Sequence, residues 1–222
     1  MNAIHISSKN REEINKIIIS AKERGSGVLY YDALRILRLS GASVITSYLA
    51  LNSQEVMIFS SQVEPPIVLK KIQYDRILDG GIEVHKGLNS TMEVLDVALG
   101  SVDMIEGFAF LIQETAPHDL KLRIISDKQE MKIIDVKNAV DILLPSILNV
   151  EQLLSQKDTL KTFLFNATET EEYDIKALGM LLLILSSIRS LFDSISRIDV
   201  GSLFLYREGL GYIITDAFIY LK

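Results

Sequence analysis

The first candidates for chemistry are the histidines, and there are three: His5, His85 and His118. No two stand four residues apart, the spacing that would set two metal ligands on one helical face. Each lies near turn residues, so they read as solvated loop side chains and no metal site is expected. Cysteine is absent. That removes disulfides, thiolate metal sites, iron–sulfur clusters and a cysteine nucleophile together. No serine stands in a G-x-S-x-G elbow, and neither a G-x-x-x-x-G-K-[ST] phosphate loop nor a G-x-G-x-x-G turn occurs. The acidic run "ETEEYD", Glu169 to Asp174, reads as a helix N-terminus, where carboxylates meet the positive end of the helix dipole. These residues predict no catalytic group, no cofactor and no enzyme.

Hydroxyls and cations in the first third of the chain say more. "YDALRILRLSGASVITSYLAL", Tyr31 to Leu51, is apolar at helical spacing and carries Ser43, Thr46 and Ser47 in its second half. Residues 1–73 hold nine Lys and Arg against six Asp and Glu, a charge of +3, while the whole chain is at −6 and the remainder therefore at −9. A basic front on an acidic body points to a polyanionic partner.

The elements that must hold these residues follow from periodicity. Ile14, Ile17, Ile18 and Ala21 predict a helix over 11–24, ended by Gly25-Ser26-Gly27. "VLYY" suggests a brief extended piece, and Leu34 and Leu37 a second helix over 31–39. Ser40 suits the N-cap of a third helix through Ser43–Leu51, with Ile45 and Leu49 inward. "EVMIFSS" and "IVLKKI" read as two strands around a Pro65-Pro66 loop tip. This order resembles the winged helix-turn-helix family of DNA-binding domains over residues 11–73. The resemblance implies that Gly41, Ala42, Ser43, Thr46 and Ser47 face base edges. It implies phosphate contacts from Arg11, Lys16, Arg35, Arg38, Lys70 and Lys71.

"LDGG", Leu78 to Gly81, reads as the junction between a winged-helix domain at 1–76 and a second domain at 82–222. Ser90 and Glu93 at capping-box spacing start a helix. "GFAFLIQ", "LKLRIIS" and "EMKIID" predict an antiparallel meander. "VKNAVDILLPSILNVEQLLS" reads as helix split at Pro145, and "LKTFLF" as a strand. A long helix over 172–197 is apolar nearly all round, with Leu181, Leu185, Ile188 and Phe192 available to a homodimer interface. "GSLFLY" and "YIITDAFIYL" close the chain around a turn at 207–211. No apolar run reaches the roughly 20 residues of a membrane span.

The expected fold class is therefore α+β: an N-terminal winged helix, then an α+β domain for dimerisation or sensing, with an antiparallel sheet and a long buried helix. The expected function is duplex DNA binding by a cytoplasmic, homodimeric, non-enzymatic transcriptional regulator. Its rival is a scaffold subunit whose winged helix grips a protein partner. Abundant Ile, Leu and Lys hint at a thermophilic source.

Overall fold

The computed structural model describes residues 5–73, 81–100, 108–117, 120–168 and 172–222. In chain order the elements are α1 (Ser8–Glu23), β1 (Val28–Leu29), α2 (Tyr31–Leu39), β2 (Ser47–Ala50), α3 (Ser53–Ser60), β3 (Ile67–Gln73), β4 (Ile82–Leu88), α4 (Thr91–Gly100), β5 (Phe108–Glu114) and β6 (Leu120–Ser126). There follow β7 (Glu130–Asp135), β8 (Val140–Pro145), α5 (Val150–Ser155), α6 (Lys157–Thr168), α7 (Ile175–Leu191), β9 (Ile195–Leu205) and β10 (Tyr212–Leu221). The class is α+β, and every pair of neighbouring strands runs antiparallel. Contacts divide the chain into two compact units, Met1–Val44 with Pro117–Lys222 and Ile45–Ala116.

The larger unit is built on a six-stranded sheet in the order β1-β10-β9-β6-β7-β8. Alternation makes one face apolar: Leu122, Ile124, Met131, Ile133, Ile198, Val200 and Leu203 are buried. Helix α7 lies against β9, and its buried residues run almost all round it. Asp174 starts this helix: its carboxylate accepts from the N–H of Ala177 at 2.9 Å, of Gly209 at 3.0 Å and of Gly211 at 3.1 Å. Gly209 and Gly211 take φ of +84° and +77° in the β9–β10 turn, a conformation that favours glycine.

The smaller unit has a four-stranded sheet in the order β2-β5-β3-β4. One face packs Ile67, Leu69, Phe110 and Ile112 with Val56 of α3 and Val94 and Ala98 of α4. The Ser90 cap of α4 forms as its spacing predicts, with Ser90 Oγ accepting from Glu93 N–H at 3.2 Å and Glu93 reaching back to Asn89 N–H at 2.8 Å.

The winged helix does not form. Ser43–Leu51 is no helix: Val44 makes a bridge to Ile214, and Ser47–Ala50 is strand β2, paired with β5. Val44, Ile45 and Thr46 are β-branched in succession and favour extended backbone. Ser40 is the C-cap of α2 rather than an N-cap, its hydroxyl donating to Ile36 O at 2.8 Å. "EVMIFSS" lies in helix α3, started by Asn52 Oδ1 accepting from Glu55 N–H at 2.8 Å. Two later segments also exchange type. "VDILLP" is strand β8, and "LKTFLF" lies in helix α6, which buries Leu160, Phe163 and Leu164 at helical spacing. The expected junction at Leu78 to Gly81 lies outside the described residues except for Gly81.

Candidate functional site

The second face of the six-stranded sheet is polar. β-Alternation puts Arg123 of β6 and Arg197 and Asp199 of β9 on it, and cross-strand register sets Asp199 opposite Ile125 and Phe218, and Arg197 opposite Tyr220. Arg123 donates to Asp199 from both Nε and Nη2, at 2.9 and 2.7 Å, the bidentate geometry of a strong guanidinium–carboxylate pair. Arg197 Nη2 donates to the same Oδ2 at 2.8 Å, and its guanidinium lies 5.2 Å from the Tyr220 ring centroid. The Asp199 side chain is 2% exposed, whereas Arg123 and Arg197 are 44% and 38% exposed. One buried carboxylate thus carries two outward-facing cations. The hydrogen bonds to Asp199 raise the Arg123 guanidinium above its ordinary pKa, against a smaller opposing effect of burial. Asp127 and Arg189 stand close by; Asp127 is held below its usual range first by the N–H groups of Gln129 and Glu130 and then by the charges of Arg189 and Arg197.

A second carboxylate on this sheet is Asp216 of β10. Tyr30, ahead of α2, donates to it at 2.5 Å and packs against Phe218 with ring centroids 5.0 Å apart. Burial, then the Asp216 charge and hydrogen bond, hold the Tyr30 phenol far above its ordinary pKa. Burial likewise raises Tyr212. The linkage has a definite sign. With a folded pKa above the unfolded value of about 10, Tyr30 contributes its full stability below pH 10, and that contribution is lost as pH rises through the folded value. Between the two values each such tyrosine steepens the loss by about 1.4 kcal/mol per pH unit. Urea midpoints between pH 9 and 11 should fall less steeply in Tyr30→Phe than in the parent chain; parallel slopes would contradict this assignment.

The smaller unit also has a polar patch, on the face opposite its helices. Ser47 of β2 is directly opposite Gln113 of β5, and Lys70 of β3 is one diagonal step away, opposite Leu111. All three are buried, Lys70 at 3% and Gln113 at 1% exposure. Ser47 Oγ has no hydrogen-bond partner among the described residues. A buried ammonium, an amide and an unpartnered hydroxyl on three adjacent strands are donors suited to an anionic or polar ligand.

The residues expected at a DNA interface belong to both units. Ser43 and Thr46 are exposed while Ser47 is buried, and Ser43 O accepts from Ile214 N–H at 3.0 Å. Arg35 is paired with Asp32 at 3.2 Å and lies 3.5 Å from Glu13. Arg11 donates to Ile6 O at 2.9 Å, Lys16 and Arg38 lie on exposed helix positions, and Lys71 Nζ stands 4.4 Å from the Phe108 ring centroid. Leu181, Leu185 and Ile188 have no exposed surface and Phe192 has 5%, covered by the chain's own core. Of the histidines, His5 is exposed and His118 lies outside the described residues. His85 is on strand β4 rather than in a loop, with Glu83 Oε1 3.1 Å from Nε2 but not aligned as a hydrogen bond. Sequence reasoning passed over Arg123, Arg197, Asp199, Asp216 and Tyr30. The signal for the first three was present: in "LKLRIIS" and "SRIDVGS" the charged residues recur with period two against an apolar phase.

No protein-family model matches the sequence, and no curated protein does either. Solved structures do match. PH1788 from Pyrococcus horikoshii Ot3 is 19% identical, with a TM-score of 0.80 over 96% of this chain and 99% of that one. ACD1 of Ca. Korarchaeum cryptofilum, in complex with coenzyme A, is 22% identical with a TM-score of 0.78 over 94% of this chain and 100% of that one. The dinucleotide-forming acetyl-coenzyme A synthetase 1 of the same organism, in complex with coenzyme A, Ca-AMPCP and HgCl+, is 22% identical with a TM-score of 0.75 over 93% and 99%. At this identity the likeness is one of fold. It overturns the winged-helix resemblance and removes the basis for duplex DNA as partner and for transcriptional regulation. The expectation of a non-enzyme falls as well, because these fold neighbours include chains of an acetyl-coenzyme A synthetase. Among the described residues no helix is long and apolar enough to cross a membrane.

Proposed function

We propose that this chain is the nucleotide-binding part of a cytoplasmic acyl-coenzyme A synthetase-type enzyme, taking a nucleoside phosphate and coenzyme A. The observation that carries this reading is the match of fold along almost the whole length of both chains to a synthetase solved with coenzyme A and with AMPCP or AMPPCP. The chemistry of the two units supports it separately. Phosphates need cations and donors held without a large reorganisation on binding. The smaller unit offers Lys70, buried with Gln113 and Ser47 on one sheet face. The larger unit offers two guanidiniums fixed on one carboxylate.

The test is calorimetric titration of the full chain with Mg-AMPPCP and with coenzyme A, backed by thermal melts with each ligand. A ligand that binds only the folded state raises the melting temperature in proportion to the logarithm of its concentration. Replacing Lys70 by Met keeps the stem and removes the charge, and is expected to weaken AMPPCP by about tenfold or more. If neither ligand gives heat or a melting shift at millimolar concentration, the reading is wrong.

A further inference from the structure

Fold neighbours of this chain hold their nucleotide analogues with calcium or magnesium. The carboxylates here do not fit a protein-held divalent cation. Asp199 is already bonded by two guanidiniums, three donors on two oxygens. Asp216 accepts the Tyr30 hydroxyl. Gly201 on the next strand brings no ligand to Asp216: a Cβ built there would stand 3.8 Å from the Cβ of Asp216, whose register partner is Ser202. Among the described residues no three Asp, Glu, His or Cys side chains gather as a metal site would need.

What the same face does supply is positive charge. Arg123 Nη2 and Arg197 Nη2 share Asp199 Oδ2, so they stand no further apart than those two hydrogen bonds allow. Two guanidiniums against one carboxylate leave a net charge of about +1 on a small area, and like charges held this close repel. Both side chains reach solvent and keep N–H groups beyond those given to Asp199 for a ligand, although Arg197 Nε itself is buried. A guanidinium has five N–H donors; the carboxylate takes two from Arg123 and one from Arg197. The bidentate pair fixes the Arg123 plane in advance, and the bond to Asp199 with the neighbouring Tyr220 ring restrains Arg197, which lowers the cost of ordering them on a ligand.

We propose that Arg123 and Arg197, positioned by Asp199, form a phosphate site that grips a phosphate ester or pyrophosphate group directly, in place of a cation held by protein carboxylates. The proposal rests on the nucleotide and coenzyme A reading for the source of that phosphate, and its chemistry stands apart from it. Either a nucleoside polyphosphate or the phosphates of coenzyme A would fit.

The experiment titrates the full chain with inorganic pyrophosphate, AMPPCP and coenzyme A, each in EDTA and in magnesium. It is repeated on Arg123→Gln, Arg197→Gln and, should Arg123→Gln fail to fold by circular dichroism, Arg123→Lys. The expected result is binding that survives EDTA within about threefold and falls by about tenfold or more in each Gln variant, with Arg123→Lys also weakened because it loses the fork. Arg dependence seen with AMPPCP alone assigns the site to the nucleotide; seen with coenzyme A alone, to that ligand. If pyrophosphate binds in an arginine-dependent way and neither organic ligand does, the phosphate site stands and the nucleotide reading fails. If AMPPCP or coenzyme A binds only with magnesium, or ignores all the arginine variants, the site is overturned while the nucleotide reading stands. If nothing binds, both fall.

Discussion

Asp174→Ala should cost the larger unit about 3–5 kcal/mol and lower its melting temperature by roughly 10 °C. Asp174 is buried, and its two oxygens accept from three backbone N–H groups on two separate stretches of chain, the first turn of α7 and the β9–β10 turn. Hydrogen bonds to a charged acceptor contribute about 1.5–3 kcal/mol each, and they do not add fully when they share one carboxylate. The variant leaves those N–H groups without their acceptor, loses an N-cap and removes a negative charge from a helix N-terminus. Asp174→Asn separates the contributions. Its amide oxygen can still cap α7, but its NH₂ cannot accept from Gly209 and Gly211, so about half the loss should remain. A shift under about 2 °C for Asp174→Ala would show that the carboxylate does not tie the hairpin to the helix.

Ile112→Ala is the matching experiment in the smaller unit. Ile112 has no exposed surface, sits on the interior strand β5 and belongs to the cluster that α3 and α4 cover. Truncating a fully buried isoleucine loses its transfer free energy and leaves a cavity, together about 3–4 kcal/mol. Ile112→Val removes one methylene and should cost about 1 kcal/mol. A ratio near three between the two, measured by urea denaturation, is the signature of a tight core. Equal and small losses would mean that this face repacks.

What was legible in the sequence follows from how local its cause is. Helices α1 and α2 and strands β3, β5, β6 and β7 carry their period in their own residues, and their expected positions agree with the structure. The failures fall where two local signals compete. "ASVITSYLAL" has helical apolar spacing and β-branched residues together, and pairing of β2 with β5 decides for strand. "SQEVMIFS" looks like a strand by composition, yet Asn52 and Glu55 spell an N-terminal cap immediately before it. The same cue, Asn149 with Gln152, starts α5, which the expected helical stretch around Pro145 does include. The larger unit's polar site was hidden for a different reason. Arg123 reaches Arg197 and Asp199 only through the β6–β9 pairing, and Tyr30 meets Asp216 across 186 residues of chain. No window on the sequence contains those partners at once.

The two-residue strand β1 has its partner in β10, Val28 against Tyr220 and Leu29 against Ile219. During synthesis the ribosome emits β1 first and must add about 190 residues before that partner exists, while residues 45–116, a contiguous unit, can complete their own sheet in the interval. The early segment with α1 and α2 therefore spends most of translation with apolar side chains such as Ile14, Ile36 and Leu37 uncovered by their final neighbours. That is the period in which a nascent chain is exposed to aggregation and to chaperone capture. Closure of the larger unit is a late event across a very long loop, and such non-local pairings form slowly.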